Sequence, residues 1–179
     1  MQDRDLRMLR DVVSTRLNVE MAAADEMMII ASSLKPDQVT LVPEEPGEVT
    51  TTGGLDVSAN QTAISAAVRR LQDAGIPASL FIDADPDQVS LAGPTGATAI
   101  EINTGPYAAA SVSRRAGEIV KIQQAARQAR TDGLEVLGGH GLTYVNVGLV
   151  AAIPEIVELN IGHSIVARAV FGGLASAVA

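Results

Sequence analysis

The chain has 179 residues, of which 47% are hydrophobic and 19% charged, which excludes a disordered chain and predicts one folded domain over residues 1–179. Its 13 basic and 21 acidic residues give a net charge of −8, which argues against nucleic acid as a partner, and the absence of cysteine excludes disulfides and thiolate zinc sites. No apolar run approaches the roughly 18 residues of a membrane span, and the first residues do not form a signal peptide, so we expect a cytoplasmic protein with no membrane segment.

The first part of the chain alternates between helical and extended patterns. Apolar residues at helical spacing predict a helix over 5–16, and a short apolar run predicts a strand over 17–22. A helix over 24–34 and a β-branched strand over 38–43 form the next pair. The segment 44–59 is rich in Gly, Pro and Thr, and because long loops in compact domains are usually functional, we expect it to belong to a site.

The alternation continues after this loop to the end of the chain. Glycine-rich turns follow the last two predicted strands, and Ser164 is placed to cap the final helix. The predicted strands are 78–83, 99–103, 134–137 and 158–161, and the predicted helices are 61–74, a short one from Pro86, 111–130, 146–151 and 166–177.

Six strands, each followed by a helix at intervals of roughly 30 residues, predict an α/β fold with a parallel sheet. Two architectures share this pattern: an open doubly wound sheet, and a (β/α)8 TIM barrel, whose usual length is about 250 residues. A complete barrel does not fit in 179 residues. Because one helix without a strand precedes the six units, the pattern fits an incomplete TIM barrel that holds strands 3–8.

The functional residues of parallel α/β folds gather at the carboxyl ends of the strands. There the sequence places two carboxylates, Glu20 and Glu101, and both histidines of the chain, His140 and His163. The histidines lie in the glycine turns after the last two strands, where backbone N–H groups and a helix N-terminus frequently bind phosphate in barrels. These turns therefore predict a phosphate site.

Each of these residues also has a purely structural interpretation. Glu20 and Glu101, which have apolar neighbours, are either interior carboxylates paired with basic groups or functional groups whose pKa is raised by burial. A carboxyl with a raised pKa suits general acid–base catalysis near neutral pH. We interpret His140 as functional because a histidine between two glycines has little core to fill and titrates near neutral pH. His163 is either a turn residue or part of the phosphate site.

Seven sequence segments occur in order and are spread over the whole chain. As a set they identify a protein family more specifically than any one of them does. They are NVEMA at 18–22, LVPE at 41–44, EVTTTGGLDV at 48–57, SLFIDAD at 79–85, IEINTG at 100–105, GHGLTY at 139–144 and ELNIGH at 158–163. Together they closely resemble the pyridoxine 5'-phosphate synthase family of the deoxyxylulose-dependent vitamin B6 pathway.

This resemblance implies a (β/α)8 barrel enzyme of pyridoxine biosynthesis. The family condenses 3-amino-2-oxopropyl phosphate with 1-deoxy-D-xylulose 5-phosphate, and releases phosphate and water as the pyridine ring closes. It needs no metal and no organic cofactor. Its members form homo-oligomers, an octamer in the best-known ones.

The resemblance also implies roles for individual residues. Glu20 matches the family's general base, His140 its general acid, and Glu101 the carboxylate that stabilises charge in the transition state. The matched substrate contacts are Thr50, for the deoxyxylulose phosphate, and Gly141, Gly162 and His163, for the aminoacetone phosphate.

Some features depart from the family pattern. The family's first two strands carry an Asn-x-Asp-His and a His-Leu-Arg-Glu-Asp segment, and with them a catalytic histidine; neither segment is in this sequence. Asn103 and Pro106 stand where the family often has His and Cys. Without those strands, strands 3 and 8 become exposed edges, so we expect the chain alone to be inactive or unstable as a monomer. Two alternatives stay open: a catalytically inactive phosphate-binding or structural remnant, and an unrelated phosphate-binding barrel or open sheet.

Overall fold

The strands form one parallel sheet. The computed structural model of the chain describes residues 2–43 and 53–179. Within them, six strands pair in the order in which they occur in the chain, and every pair is parallel. They are β1 (Asn18–Met21), β2 (Gln38–Leu41), β3 (Ala78–Ile82), β4 (Ala99–Asn103), β5 (Glu135–Gly139) and β6 (Ile156–Asn160).

This strand order decides between the two predicted architectures. In a doubly wound sheet the strand order reverses at one point, whereas in a barrel every crossover moves to the next strand in the same direction. Two ion pairs show that the sheet is also curled. Arg16, just before β1, lies 3.4 Å from Glu135 on β5 and 3.2 Å from Glu158 on β6. The fold is therefore an α/β half-barrel of the TIM type.

At least one helix follows each strand, and apolar side chains of the longer helices join the strands in one core. Among the residues described, none of the helices combines the length and apolar character that crossing a membrane requires. The helices are α1 (Asp3–Val12), α2 (Asp25–Leu34), α3 (Val57–Asp73), α4 (Pro86–Ala92), a 3-10 turn (Gly93–Thr95), α5 (Gly105–Ala109), α6 (Val112–Thr131), α7 (Val147–Ala151), α8 (His163–Gly172) and α9 (Leu174–Val178).

Acidic caps explain where two of the helices begin. The Asp85 carboxylate accepts hydrogen bonds from the backbone N–H groups of Asp87 and Gln88, so α4 begins at Pro86 as predicted. Asp56 accepts from the N–H of Ala59 at 3.0 Å. As a result α3 begins earlier than the predicted residue 61 and takes in part of the segment that the sequence assigns to a loop.

The predictions for the last two units are wrong in detail. β5 does not end at residue 137, because Gly138 and Gly139 continue the ladder with β4 and β6. Ser164 does not cap the final helix; α8 begins before it, and its hydroxyl donates to the Leu142 carbonyl at 2.9 Å. The predicted helix 166–177 is two helices, since Gly173 has a φ of +79°, which no α-helix accommodates.

Candidate active site

A cavity of about 860 Å³ opens at the carboxyl ends of the strands. It is lined by residues from β1, β4 and β6, from the turn after β5 and from the start of α8. Six of the seven predicted site residues line it, and the seventh, Thr50, lies outside the described residues. Those six are Glu20, Glu101, His140, Gly141, Gly162 and His163.

Glu101 is the most buried charged group of the site, with 2% of its surface exposed. Burial, and next the charge of Glu20, raise the pKa of Glu101 to about 7, and Glu158 adds to this effect. The hydrogen bond from Asn160 Nδ2 to Glu101 Oε2, 2.6 Å long, acts in the opposite direction. Near neutral pH this carboxyl therefore accepts or releases a proton readily.

Glu20 is the second carboxyl of the cavity and stands near the end of β1. Partial burial raises the pKa of Glu20, while the nearby charge of His140 lowers it. Its side chain is exposed to the open cavity, so solvent limits the size of both effects. Glu20 and Glu101 thus share one cavity but differ in their contact with water.

Gly139 makes room for the Glu101 carboxylate. A Cβ atom built at Gly139 would overlap Glu101 Oε1, whereas one built at Gly138 would lie 3.6 Å from the side chains of Ile156 and Leu159, an ordinary contact. The two adjacent glycines of β5 therefore differ in one respect: a side chain at Gly139 would displace the Glu101 carboxylate, and a side chain at Gly138 would not.

We expect Gly139→Ala to lower the free energy of unfolding by about 2 kcal/mol, because overpacking displaces Glu101 or bends the strand. Gly138→Ala is the control and should cost clearly less. Urea unfolding of both variants at one pH measures the difference. Equal losses would contradict the steric role of Gly139.

His140 has an uncommon backbone conformation, with a φ of +77° in the left-handed region. The hydroxyl of Thr104 lies 2.6 Å from its carbonyl oxygen and 2.8 Å from that of Gly139. Its imidazole stands beside the Phe81 ring, with the centroids 6.5 Å apart. These contacts hold the histidine in a conformation that an unsupported chain rarely adopts.

The two glycine turns are tied together at the rim of the cavity. The hydrogen bond from Ser164 to the Leu142 carbonyl joins the start of α8 to the turn that contains Gly141. Gly162 is the N-cap of α8, and no side chain in the described part of the chain caps its first turn. Backbone N–H groups at a helix N-terminus favour an anion, as the sequence predicts for this place.

Asn160 lines the cavity but has no role in the sequence-based prediction. Its place at a strand end is visible in the sequence, but its partner Glu101 lies 59 residues earlier. Gly139 lies between the two side chains, since it pairs with Asn160 in the sheet and a Cβ atom there would meet both Glu101 Oε1 and Asn160 Cβ. Among residues 2–43 and 53–179, no group of three or more His, Asp or Glu side chains is arranged to hold a metal ion.

Known proteins resemble this chain over almost its whole length. The family model of the pyridoxal phosphate biosynthesis protein PdxJ matches residues 1–179. A pyridoxine 5'-phosphate synthase from Synechococcus sp. (strain JA-2-3B'a(2-13)) is 54% identical over 178 residues, which cover 99% of this chain and 74% of that protein. The synthase of Geobacter sulfurreducens is 53% identical over 178 residues, with the same coverage.

Among solved structures, the YdjI aldolase from Escherichia coli K12 has a similar fold, with a TM-score of 0.63. The similarity covers 98% of this chain and 68% of the aldolase. At 13% sequence identity it supports the architecture alone.

Proposed function

This chain belongs to the PdxJ family of pyridoxal phosphate biosynthesis proteins and makes pyridoxine 5'-phosphate, and we propose how the residues of its cavity do so. The substrates are 3-amino-2-oxopropyl phosphate and 1-deoxy-D-xylulose 5-phosphate, and the other products are phosphate and water. The observation that carries the proposal is the convergence of six predicted site residues, remote in sequence, on one cavity.

Glu20, His140 and Glu101 divide the proton transfers between them. Imine formation, enolisation and dehydration all require protons to move on and off carbon and oxygen. Glu20, exposed to the cavity, removes the proton as general base, and His140 returns one to the leaving oxygen as general acid. Glu101 faces the same space and, with a pKa of about 7, stabilises positive charge as it develops.

The two glycine turns bind the phosphate of 3-amino-2-oxopropyl phosphate. Gly141 has a φ of +74°, and a Cβ atom there would lie 2.7 Å from that of Ala108, so the turn needs glycine. Gly162 and His163 present the N-terminus of α8 to the same rim. Thr50, outside the described residues, is proposed as a contact of the deoxyxylulose phosphate.

We further propose that β1 to β6 correspond to strands 3–8 of a (β/α)8 barrel, within one domain over residues 1–179. The sequential strand order and the curled sheet support this correspondence. The relatives named above support it as well. The chain matches 74% of their length, which is close to the share that six of eight strands represent. Assembly into a homo-oligomer and a cytoplasmic location stay predictions.

The alternative of an inactive phosphate-binding remnant is not favoured. The chain is more than 50% identical to synthases over 99% of its length. Glu20, Glu101 and His140 are all present and line one cavity. An unrelated phosphate-binding protein would not match the family model from residue 1 to residue 179.

The test is the formation of pyridoxine 5'-phosphate from the two phosphorylated substrates. Residues 1–179 are compared with the same chain preceded by the first two strands of the Synechococcus relative. We expect the extended form to react, and reaction of that form alone supports the assignment of strands 3–8. If neither form makes the product while circular dichroism shows both folded, the proposed function is wrong and the remnant becomes the better account.

A further inference from the structure

A line of hydrogen bonds beside the cavity joins residues that the proposed mechanism does not use. Asp83 follows β3, and its Oδ1 accepts two hydrogen bonds, from the Gly54 N–H at 3.1 Å and from Asn103 Nδ2 at 2.8 Å. Asn103 is the last residue of β4 and is 2% exposed. The carboxylate therefore fixes the orientation of a buried amide at the end of the next strand.

The other end of the same amide reaches the turn that supports His140. Asn103 Oδ1 accepts from the Gly105 N–H at 2.9 Å. A Cβ atom at Gly105 would lie only 2.6 Å from His140 Cδ2, so the imidazole packs directly on the Gly105 backbone. The position of Gly105 consequently determines where the His140 ring rests.

The chemistry of residue 103 matters because its side chain must donate at one end and accept at the other. An amide does both at once, a carboxylate only accepts, and an aliphatic side chain does neither. The bond to Asp83 is also charge-assisted, which makes it stronger than a bond between neutral groups.

We propose that Asn103 and Asp83 are positioning residues for His140: Asp83 orients the Asn103 amide, which holds Gly105 in the place where it supports the imidazole. The catalytic part of this proposal rests on the role proposed above for His140, whereas the structural part does not. Neither residue is among those that line the cavity of Glu20, Glu101 and His140, and Asn103 contacts the turn that supports His140 at Gly105.

The first test observes His140 itself, without turnover. The chain has two histidines, so the imidazole ¹H–¹⁵N spectrum contains two sets of signals, which a His163→Gln variant assigns. We expect Asn103→Leu and Asp83→Asn to shift or broaden the His140 signals and to leave those of His163 in place.

Asn18→Leu is the matched control. It also removes a side-chain amide, one that is hydrogen-bonded to Thr40 on the neighbouring strand, but Asn18 lies at the amino end of its strand, away from His140. Wild-type His140 signals in Asn103→Leu would overturn the proposal. The proposal would also be overturned if the signals of His140 and His163 changed equally, both in Asn103→Leu and in Asn18→Leu. Such a result would indicate a general loss of packing in each variant.

The second test is kinetic and uses the form of the chain that makes product. Asn103→Leu should lower kcat by up to about 100-fold with little change in KM, because a small displacement of a catalytic group slows chemistry more than binding. Asn103→His should recover part of the rate, since imidazole also donates at one nitrogen and accepts at the other. An unchanged kcat in Asn103→Leu would overturn the catalytic part. If neither form of the chain makes product, shifted His140 signals would keep the structural part, and only the proposed function would be contradicted.

Discussion

Replacing Glu101 with glutamine should raise the free energy of unfolding by about 3 kcal/mol at about pH 8.5, while it lowers catalytic activity. Glutamine has the shape of a protonated glutamic acid and still offers an oxygen to Asn160. The variant therefore keeps the packing and the hydrogen bond of the site and removes the need to bury a negative charge.

The direction follows from proton linkage. The pKa of Glu101 is raised from 4.5 to about 7 in the folded chain, so between these values the folded state holds a proton that the unfolded state has released. Stability from this group is complete below about pH 4.5 and is lost as the pH rises through 7. A difference of about 2.5 in pKa corresponds to roughly 3 kcal/mol.

Chemical unfolding of wild type and Glu101→Gln across this pH range measures the effect. The two stabilities should converge below about pH 4.5, separate as the pH rises from there to about 7, and stay apart above it. Glu26→Gln, at an exposed position in the first turn of α2, changes the net charge equally, and beside net charge it loses only an attraction to the helix N-terminus of about 0.3–1 kcal/mol. A stability difference independent of pH would contradict a buried, titrating Glu101.

Local patterns in the sequence predict most of the architecture, because a βα unit has a short-range signature. The strand 99–103 is predicted and observed with the same bounds; three of its five residues are apolar and all five are buried. The errors lie where long-range packing decides. Gly138 and Gly139 read as a turn, yet they form strand, because β4 and β6 pair with them from both sides.

In the candidate site, too, local sequence predicts some features and long-range packing decides the others. The positions of Glu20, Glu101 and His140 at strand ends are evident from the sequence, and the structure brings them together. The contacts of Asn160 with Glu101 and of Asn103 with Asp83 are not evident, because they depend on the register between strands. A side-chain amide is common at a strand end, and only the pairing shows which carboxylate it meets.

Replacing Glu20 with glutamine should lower kcat by about 10² to 10⁴-fold, the usual contribution of a general base. The substitution keeps the shape of the side chain and removes its capacity to accept a proton. KM should change little, since Gly141, Gly162 and His163 are the proposed phosphate contacts. Steady-state kinetics of the active form measure the loss, and Glu26→Gln is again the control. A kcat within tenfold of wild type would contradict the role of Glu20.

The same variant also tests whether the two carboxylates share one electrostatic field. The charge of Glu20 raises the pKa of Glu101, so Glu20→Gln should lower that pKa and weaken the fall in stability with rising pH. In a Glu101→Gln background only the smaller part that comes from the titration of Glu20 itself should remain, because no titrating group is left at position 101. A double-mutant cycle of unfolding free energies on both sides of pH 7 isolates the interaction. If the effect of Glu20→Gln on the pH dependence is the same in both backgrounds, Glu20 and Glu101 titrate independently, and the charge of Glu20 does not raise the pKa of Glu101.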